Sequence, residues 1–249
     1  MGRLKLHRIE KSPSENSDRR AAILKAAIDE FAEKGFSGAR TETIAQAAGV
    51  NKAMLHYYFV DKETLYAEVL EKLFGSIPDE KIISEKIANS NLNSIQYVRL
   101  FMKIVIAKHS HPESRPFRRI MAWELAEGSR NLKKVAQKYM VPRIQMLAGM
   151  ISRGVENGEL CCENPILAVH AMIAQIAFYY FHRETYEGSS IYHDLYEKVD
   201  AEKILELTVQ QFIRCYVVKP DLDSNLPSEF EAIAEDLIHS LRQNIARSA

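Results

Sequence analysis

Four side chains in the segment NKAMLHYYF have the types and spacing needed to read nucleic-acid bases. Lys52, Ala53, His56 and Tyr57 share the outward face of a predicted helix. Lysine and tyrosine can donate hydrogen bonds to bases and phosphates, and a small alanine lets a helix approach a groove closely. We therefore predict that this face enters the DNA major groove.

A helix that enters a groove needs a partner helix and a sharp corner. The sequence predicts a short helix over 41–48, a break at Gly49 and a second helix over 51–59 that Asn51 caps. Gly49 can take a positive φ, and Ala45 is small enough for a close helix crossing. This pattern is typical of a helix-turn-helix. Its predicted inward residues are Ile44, Ala48, Val50, Leu55 and Tyr58.

A further helix should precede this motif and cover its inner side. Ser17 or Asp18 suits its N-cap, Gly35 can end it in the left-handed conformation, and it should run to about Lys34. Its apolar stripe consists of Leu24, Ile28 and Phe31.

Residues 1–16 are polar and basic and contain proline and serine, which is typical of a flexible arm. Arg3, Lys5 and Arg8 would add phosphate or minor-groove contacts. A solvated tail without DNA contacts fits the same composition.

Alanine, glycine and leucine at these spacings also occur in helical hairpins that do not bind DNA. The wider segment AILKAAIDEFAEKGFSGARTETIAQAAGVNKAMLHYYFVDKETLYAEVL, however, resembles the N-terminal domain of the tetracycline-repressor (TetR) family in residue order and spacing. The resemblance implies a three-helix DNA-binding domain and a fourth helix that leads to an all-α C-terminal domain. It also implies a homodimer that releases DNA when a small ligand binds.

The resemblance assigns roles to individual residues. It implies that Thr41 and Lys62 contact phosphates and that Lys52, Ala53 and Tyr57 reach bases. Two positions depart from the family pattern, because Arg40 stands where threonine is usual and His56 where tyrosine is usual, so the contact by His56 is in doubt. The predicted DNA-binding residues are Arg40, Thr41, Asn51, Lys52, Ala53, His56, Tyr57 and Lys62.

The composition indicates a soluble, all-α protein. The 249 residues are 47% hydrophobic and carry 33 basic and 33 acidic side chains, so attraction to DNA must come from uneven charge placement. The part up to Lys62 carries +3 and the part from Pro220 carries −4. Three cysteines suggest no disulfide framework and a reducing cytoplasm. No export signal or membrane span is evident.

The predicted organisation is an arm over 1–16, a helix-turn-helix domain over 17–62 and a helical effector-binding and dimerisation domain over 63–249. Helical periodicity and turn residues predict further helices over 62–74, 94–110, 116–127, 130–157, 164–185, 201–218 and 227–247. Pro142 should kink or split the fourth of these.

Two late helices are unusually apolar. PILAVHAMIAQIAFYYF is apolar around nearly its whole circumference, and KILELTVQQFIRCYVV over much of it, so each needs cover on more than one side. A homodimer interface through these helices provides that cover and matches paired DNA half-sites. The alternative is a monomer in which SEFEAIAEDLIHSLRQ covers both.

The resemblance implies that C-terminal helices surround the effector, so aromatic, methionine and isolated polar residues on them are candidates for a ligand pocket, although such residues more often belong simply to the core. They are Phe101, Met102, Val105, Met121, Trp123, Met146, Met150, Met172, Gln175, Phe178, Tyr179 and His182. With Trp123, Gln175 and His182 as polar groups, such a pocket would suit a hydrophobic or aromatic molecule.

No motif favours an enzyme, a cofactor or a metal centre. His109 and His111 lie too loosely on a loop to specify zinc, and Cys161 and Cys162 have no second ligand pair. The sequence therefore predicts a ligand-responsive, homodimeric repressor that leaves a pseudo-palindromic operator when its effector binds. The alternative is a DNA-binding organiser or partner-controlled adaptor without a small-molecule switch.

Overall fold

The computed structural model describes residues 13–87, 90–218 and 226–247. All its regular elements in these ranges are helical, apart from an isolated bridge between Leu160 and Val217, which confirms the all-α prediction. The chain forms two compact units that divide between Val69 and Leu70. None of the helices in the described ranges is both long and apolar enough to cross a membrane.

The first unit contains α1 (Pro13–Gly38), α2 (Thr41–Ala47), α3 (Lys52–Tyr58) and the beginning of α4 (Lys62–Phe74). The start near Ser17 was wrong, since α1 begins at Pro13; Arg3, Lys5 and Arg8 lie outside the described residues. Gly35 breaks α1 with φ 68° and ψ 177°. Its predicted positive φ is confirmed, but its ψ lies outside the left-handed helical region.

The core of the first unit forms from the predicted faces. Leu24, Ile28 and Phe31 are buried, as are Ile44 and Leu55. Other large side chains that are fully buried include Ile23, Phe59, Leu65 and Tyr66. Burying each such side chain contributes about 1.5–3 kcal/mol relative to an exposed one. The amphipathic pattern therefore fixes which face of α3 remains outside.

The corner between α2 and α3 has the predicted geometry. Gly49 has φ 66°, and its N–H donates to the carbonyl of Gln46 while the N–H of Val50 donates to that of Ala45. These two bonds satisfy carbonyls that the end of α2 would otherwise leave unpaired. Asn51 caps α3 by accepting from the N–H of Met54 at 2.8 Å.

Replacing Gly49 by valine should lower the free energy of unfolding by about 1–2 kcal/mol, because a β-branched residue strongly disfavours positive φ. A Cβ at Gly49 meets nothing within 4 Å, so the cost is conformational rather than steric. Urea unfolding measures the effect, and Gly49→Asn is the control because asparagine tolerates this region. Equal destabilisation by both variants would contradict the assignment.

The second unit contains the end of α4, a 3-10 turn (Pro112–Ser114) and ten further α-helical segments. In chain order these are α5 (Glu80–Ile87), α6 (Ser94–Ser110), α7 (Arg115–Ala126), α8 (Leu132–Val135), α9 (Val141–Glu156), α10 (Pro165–Phe181), α11 (Arg183–Tyr186), α12 (Ser190–Tyr192), α13 (Ala201–Tyr216) and α14 (Ser228–Ala246). Wider turns of π type occupy 136–140 and 193–197.

The helix predictions fail where elements are short. The prediction omitted α5 and α12, and it joined most of α11 to α10 as one helix over 164–185. The region 130–157 is split by the π turn before Pro142, which confirms the interruption. The helix predicted over 164–185 ends at Phe181, and the turn Arg183–Tyr186 follows it.

The second unit has two apolar clusters. One packs α6, α9, α10 and α13 together around residues such as Ile151 and Ile176. The other packs α14 against α5, α6 and Met150 of α9. Among the described residues, that second cluster includes no side chain from α10 or α13. The alternative in which α14 covers those two helices was therefore wrong.

Candidate DNA-recognition surface and ligand cavity

The outward face of α3 is solvent-exposed. Lys52, Ala53, His56 and Tyr57 all lie on the surface, and the Tyr57 side chain is 77% exposed. The Nδ1 atom of His56 lies 3.2 Å from the carbonyl oxygen of Val60, so one ring nitrogen is already occupied.

Lys52 is paired within its own unit. Its ammonium group donates to the carboxylate of Glu42 on α2. This hydrogen bond, together with a backbone hydrogen bond and the positive charge of Lys52, lowers the pKa of Glu42 to about 2. Sequence reasoning gave Glu42 no role, because an exposed acid in a first helical turn is common.

The predicted phosphate contacts lie at the beginnings of α2 and α4. Arg40 is exposed at the N-cap of α2, and the Thr41 hydroxyl donates to Glu42 at 3.3 Å. Lys62 begins α4, where its ammonium group lies 4.8 Å from the centre of the Phe36 ring. This cation–π contact positions the lysine at the start of the helix.

The second unit contains a partly open cavity of about 240 Å³, which we call the α4 cavity because the last turn of α4 forms part of its wall. One water needs only about 10–15 Å³, so the space is large enough for a small organic molecule. Its wall is mainly apolar and consists of Phe74, Ile77, Ile83, Phe101, Ile104, Val105, Lys108, His109, Phe117, Met121, Leu125, Met140, Arg143, Ile144, His170, Ile173, Ala174, Ala177 and Phe181.

Two buried cations in this wall bind the end of α4. The Lys108 ammonium group donates to the Leu73 carbonyl at 3.3 Å and to the Ser76 hydroxyl at 2.7 Å. Arg143 donates to carbonyls in the same region, at 3.4 Å to Phe74 and 2.7 Å to Ile77. The last carbonyls of a helix lack intrahelical partners and carry partial negative charge, so cations stabilise them.

The environment of the cavity disfavours further positive charge. Burial, followed by the charges of Arg143 and Arg118, lowers the pKa of Lys108 to about 7. Burial, followed by the charges of Arg118 and Lys108, lowers the pKa of His109 to about 3. His109 is 8% exposed, and its Nδ1 atom has no hydrogen-bond partner among the described residues.

The predicted ligand residues are dispersed. Phe101, Val105 and Met121 line the α4 cavity, whereas Met146 and Met150 line smaller pockets beside α5 and α6. Met172 and Gln175 border a groove between α10 and α13. The others, placed outside the walls of these four spaces, are Met102, Trp123, Phe178, Tyr179 and His182.

The polar groups of the α4 cavity are therefore Lys108, His109, Arg143 and His170 rather than Trp123, Gln175 and His182. Lysine and arginine on a helix usually lie in solvent, so the sequence offers no signal for their burial. In the described ranges, no three or more His, Cys, Asp or Glu side chains come together as a possible metal site.

Comparison with known families agrees with both units. Residues 23–69 match the model described as bacterial regulatory proteins, tetR family, and residues 97–211 match the tetracyclin repressor-like C-terminal domain. The first match contains α2 and α3, and the second contains α10 and all but the first three residues of α6.

Individual proteins agree with the family models. The chain is 27% identical over 199 residues to the HTH-type transcriptional regulator RutR of Escherichia coli K12, covering 78% of this chain and 90% of RutR. It is 29% identical over 175 residues to the HTH-type transcriptional repressor NicS of Pseudomonas putida, covering 67% of this chain and 78% of NicS.

Solved structures share the fold. The crystal structure of NalD, the secondary repressor of the MexAB-OprM efflux pump in Pseudomonas aeruginosa, has a TM-score of 0.61 at 20% identity. The structural match covers 82% of this chain and 99% of NalD. HlyIIR, a hemolysin II transcriptional regulator, has a TM-score of 0.57 at 24% identity and covers 77% of this chain and 97% of HlyIIR.

The helix-turn-helix unit and the helical second unit together define a DNA-binding transcriptional regulator. The chain belongs to the TetR family. The family and the relatives are transcriptional regulators rather than enzymes, which confirms the prediction that this protein is not an enzyme.

Proposed function

We propose that the protein is a cytoplasmic, homodimeric repressor that leaves a pseudo-palindromic operator when a small molecule occupies the α4 cavity. The observation that carries this proposal is the position of α4. This helix begins at Lys62, directly after the helix-turn-helix, and its last turn forms part of the cavity wall. A ligand that favours one position of this turn would bias the helix that follows the recognition surface.

The exposed face of α3 supports major-groove recognition. Lys52 and Tyr57 would provide base contacts, with Ala53 allowing close approach and His56 adding one donor. Arg40, Thr41 and Lys62 would contact phosphates, and the amides after Asn51 would face the groove. Binding by phosphate contacts weakens with salt, whereas base contacts give sequence preference.

Replacing Lys52 or Tyr57 by alanine should reduce discrimination between the operator and random DNA by about 10- to 100-fold, because each base contact contributes about 1–3 kcal/mol of discrimination. Both side chains are exposed, so the melting temperature should stay unchanged. Titrations with operator and scrambled duplexes measure the effect. Lys81→Ala removes a lysine from the exposed surface of the second unit and should have no effect. Unchanged discrimination in both recognition variants would exclude this face.

Exposed apolar side chains on α10 and α13 support the dimer. Ile166, Leu167 and Phe178 of α10 and Leu207 of α13 are exposed in the single chain. Between these helices lies a groove of about 290 Å³. A second copy that packed its own α10 and α13 here would cover both surfaces by symmetry.

Replacing Leu167 by glutamate should weaken the dimer at least about tenfold, because a charge would be buried at the proposed interface. Sedimentation equilibrium measures the dissociation constant. Ile191→Glu introduces the same charge at another exposed apolar position and should leave the constant unchanged. A monomeric wild-type protein at micromolar concentration would contradict the proposed dimer.

Selection of bound sequences from random duplexes tests the whole proposal. Two half-sites at a fixed spacing of about one helical turn are expected from a dimer. A molecule that occupies the cavity should raise the melting temperature and lower operator affinity together. The adaptor alternative predicts operator binding that no cavity ligand changes.

A further inference from the structure

We propose that the α4 cavity takes a small hydrophobic acid, whose anionic group pairs with Lys108 and Arg143 and competes with the carbonyl oxygens at the end of α4. This inference rests on the proposed ligand response and specifies its chemistry. The apolar wall would hold the body of the molecule, while the two cations would bind its head. The apolar wall alone would suit neutral aromatic molecules, but these lack an anionic group that can pair with Lys108 and Arg143.

The charges around the cavity favour an anion. Lys108 is 2% exposed, and the bonds that hold it go to a carbonyl and a hydroxyl, which are both neutral groups. The positive charges of Arg143 and Arg118 both repel the positive charge of Lys108. The described wall of the cavity contains no aspartate or glutamate. A bound anion would relieve the repulsion among these cations.

The same contacts explain how a bound ligand would destabilise the end of α4. A carboxylate or sulfonate accepts a stronger hydrogen bond from an ammonium group than a peptide carbonyl does. An anion at Lys108 would therefore draw the ammonium group away from Leu73 and Ser76. The end of α4 would lose part of its stabilisation, because its last carbonyls depend on partners outside the helix.

His109 provides a second recognition point. Its ring lies within about 6 Å of two aromatic rings, with centroids 5.7 Å from Phe117 and 5.9 Å from Tyr180. A buried polar atom without a partner costs free energy that a bound ligand can recover. The Nδ1 atom of His109 is buried without a partner among the described residues, and His109 lines this cavity, so a ligand that turned the ring toward itself would satisfy this atom.

Two fluorescent probes of matched shape test the charge requirement. 1-Anilinonaphthalene-8-sulfonate is anionic, and N-phenyl-1-naphthylamine has the same ring system without the sulfonate. The wild-type protein should bind the anionic probe about 10- to 100-fold more tightly, as expected for a hydrogen bond to a buried charged group. Val105→Trp, which fills the cavity, should abolish binding of the anionic probe.

Lys108→Met keeps an unbranched side chain, one atom shorter than lysine, and removes its charge. It should lower affinity for the anionic probe about tenfold or more and leave affinity for the neutral probe unchanged. Lys103→Met is the matched control, since Lys103 lies on the same helix but pairs with Glu231. The anionic probe should also weaken operator binding by the wild-type protein and not by Lys108→Met.

Measuring the affinity of both probes for the wild-type protein over a range of pH tests the same charge requirement without a variant. The groups around Lys108 are Arg143, Arg118, His109 and, in the cavity wall, His170. An anion raises the pKa of Lys108, so binding takes up a proton above about pH 7. Affinity for the sulfonate should fall by up to about tenfold per pH unit above pH 7, and affinity for the neutral probe should stay constant.

The outcomes separate the two proposals. Equal affinity for both probes, blocked by Val105→Trp and independent of pH and of Lys108, would overturn the acid and leave a cavity for neutral ligands. Absence of binding by either probe, or binding that Val105→Trp leaves intact, would overturn the acid and remove this support for a ligand-responsive repressor.

Discussion

Replacing Arg143 by leucine should lower the free energy of unfolding by about 3 kcal/mol, because each buried carbonyl left without a donor costs about 1–3 kcal/mol. Arg143 is 5% exposed and donates to the carbonyls of Phe74, Ile77 and Pro78. Part of the loss is offset, since leucine does not require burial of a charge. Urea unfolding at pH 7 measures the difference.

Arg153→Leu is the matched control on the same helix. Arg153 is exposed, so its replacement should change the unfolding free energy by less than about 0.5 kcal/mol. Hydrogen exchange adds a local readout, because amides near the end of α4 should exchange faster in Arg143→Leu alone. Similar unfolding free energies for the two variants would show that Arg143 does not hold this turn.

Acidification should destabilise the protein below pH 6.5 through His109. The pKa of His109 is about 3 in the folded protein and about 6.5 in the unfolded chain. The unfolded state binds more protons between these values, so this contribution is fully present above pH 6.5 and is lost as the pH falls. The loss should reach on the order of 2 kcal/mol by pH 5.

His109→Phe keeps a ring among the neighbouring aromatic side chains but cannot titrate. Its melting temperature should fall less between pH 6.5 and pH 5 than that of the wild-type protein. The control is His239→Phe, which removes an exposed histidine from α14 and should keep the wild-type slope. Equal slopes for all three proteins would contradict a neutral, buried His109.

The recognition unit was predictable because its determinants are local. The positive φ of Gly49, the cap by Asn51 and the exposure of Tyr57 follow from residue type and helical spacing within one short segment. α5 is no shorter than α2 or α3, but it lies beyond the segment whose resemblance to a known family located those two helices. The DNA contacts themselves stay predictions, since they depend on a partner molecule.

The cavity was less predictable because its polar groups meet through tertiary structure. Lys108 and Arg143 come from helices α6 and α9 and converge on the end of α4. Phe101 and Val105 were named as candidates because they lie on a predicted C-terminal helix, but a helix prediction does not specify which neighbouring helices they face. Trp123 and His182 were predicted as ligand residues from residue type alone, and neither lines the cavity.

The bond between Lys52 and Glu42 has a consequence for how the protein would search a chromosome. While it is bonded to Lys52, Glu42 is ionised at the pH of a cell, because that bond lowers its pKa to about 2. A duplex that engages Lys52 must replace this internal counterion and accept a carboxylate near its own phosphates. Non-specific DNA provides no base contacts that compensate for the loss of this ion pair, so the protein should dissociate from it quickly. It should remain bound only where base contacts form.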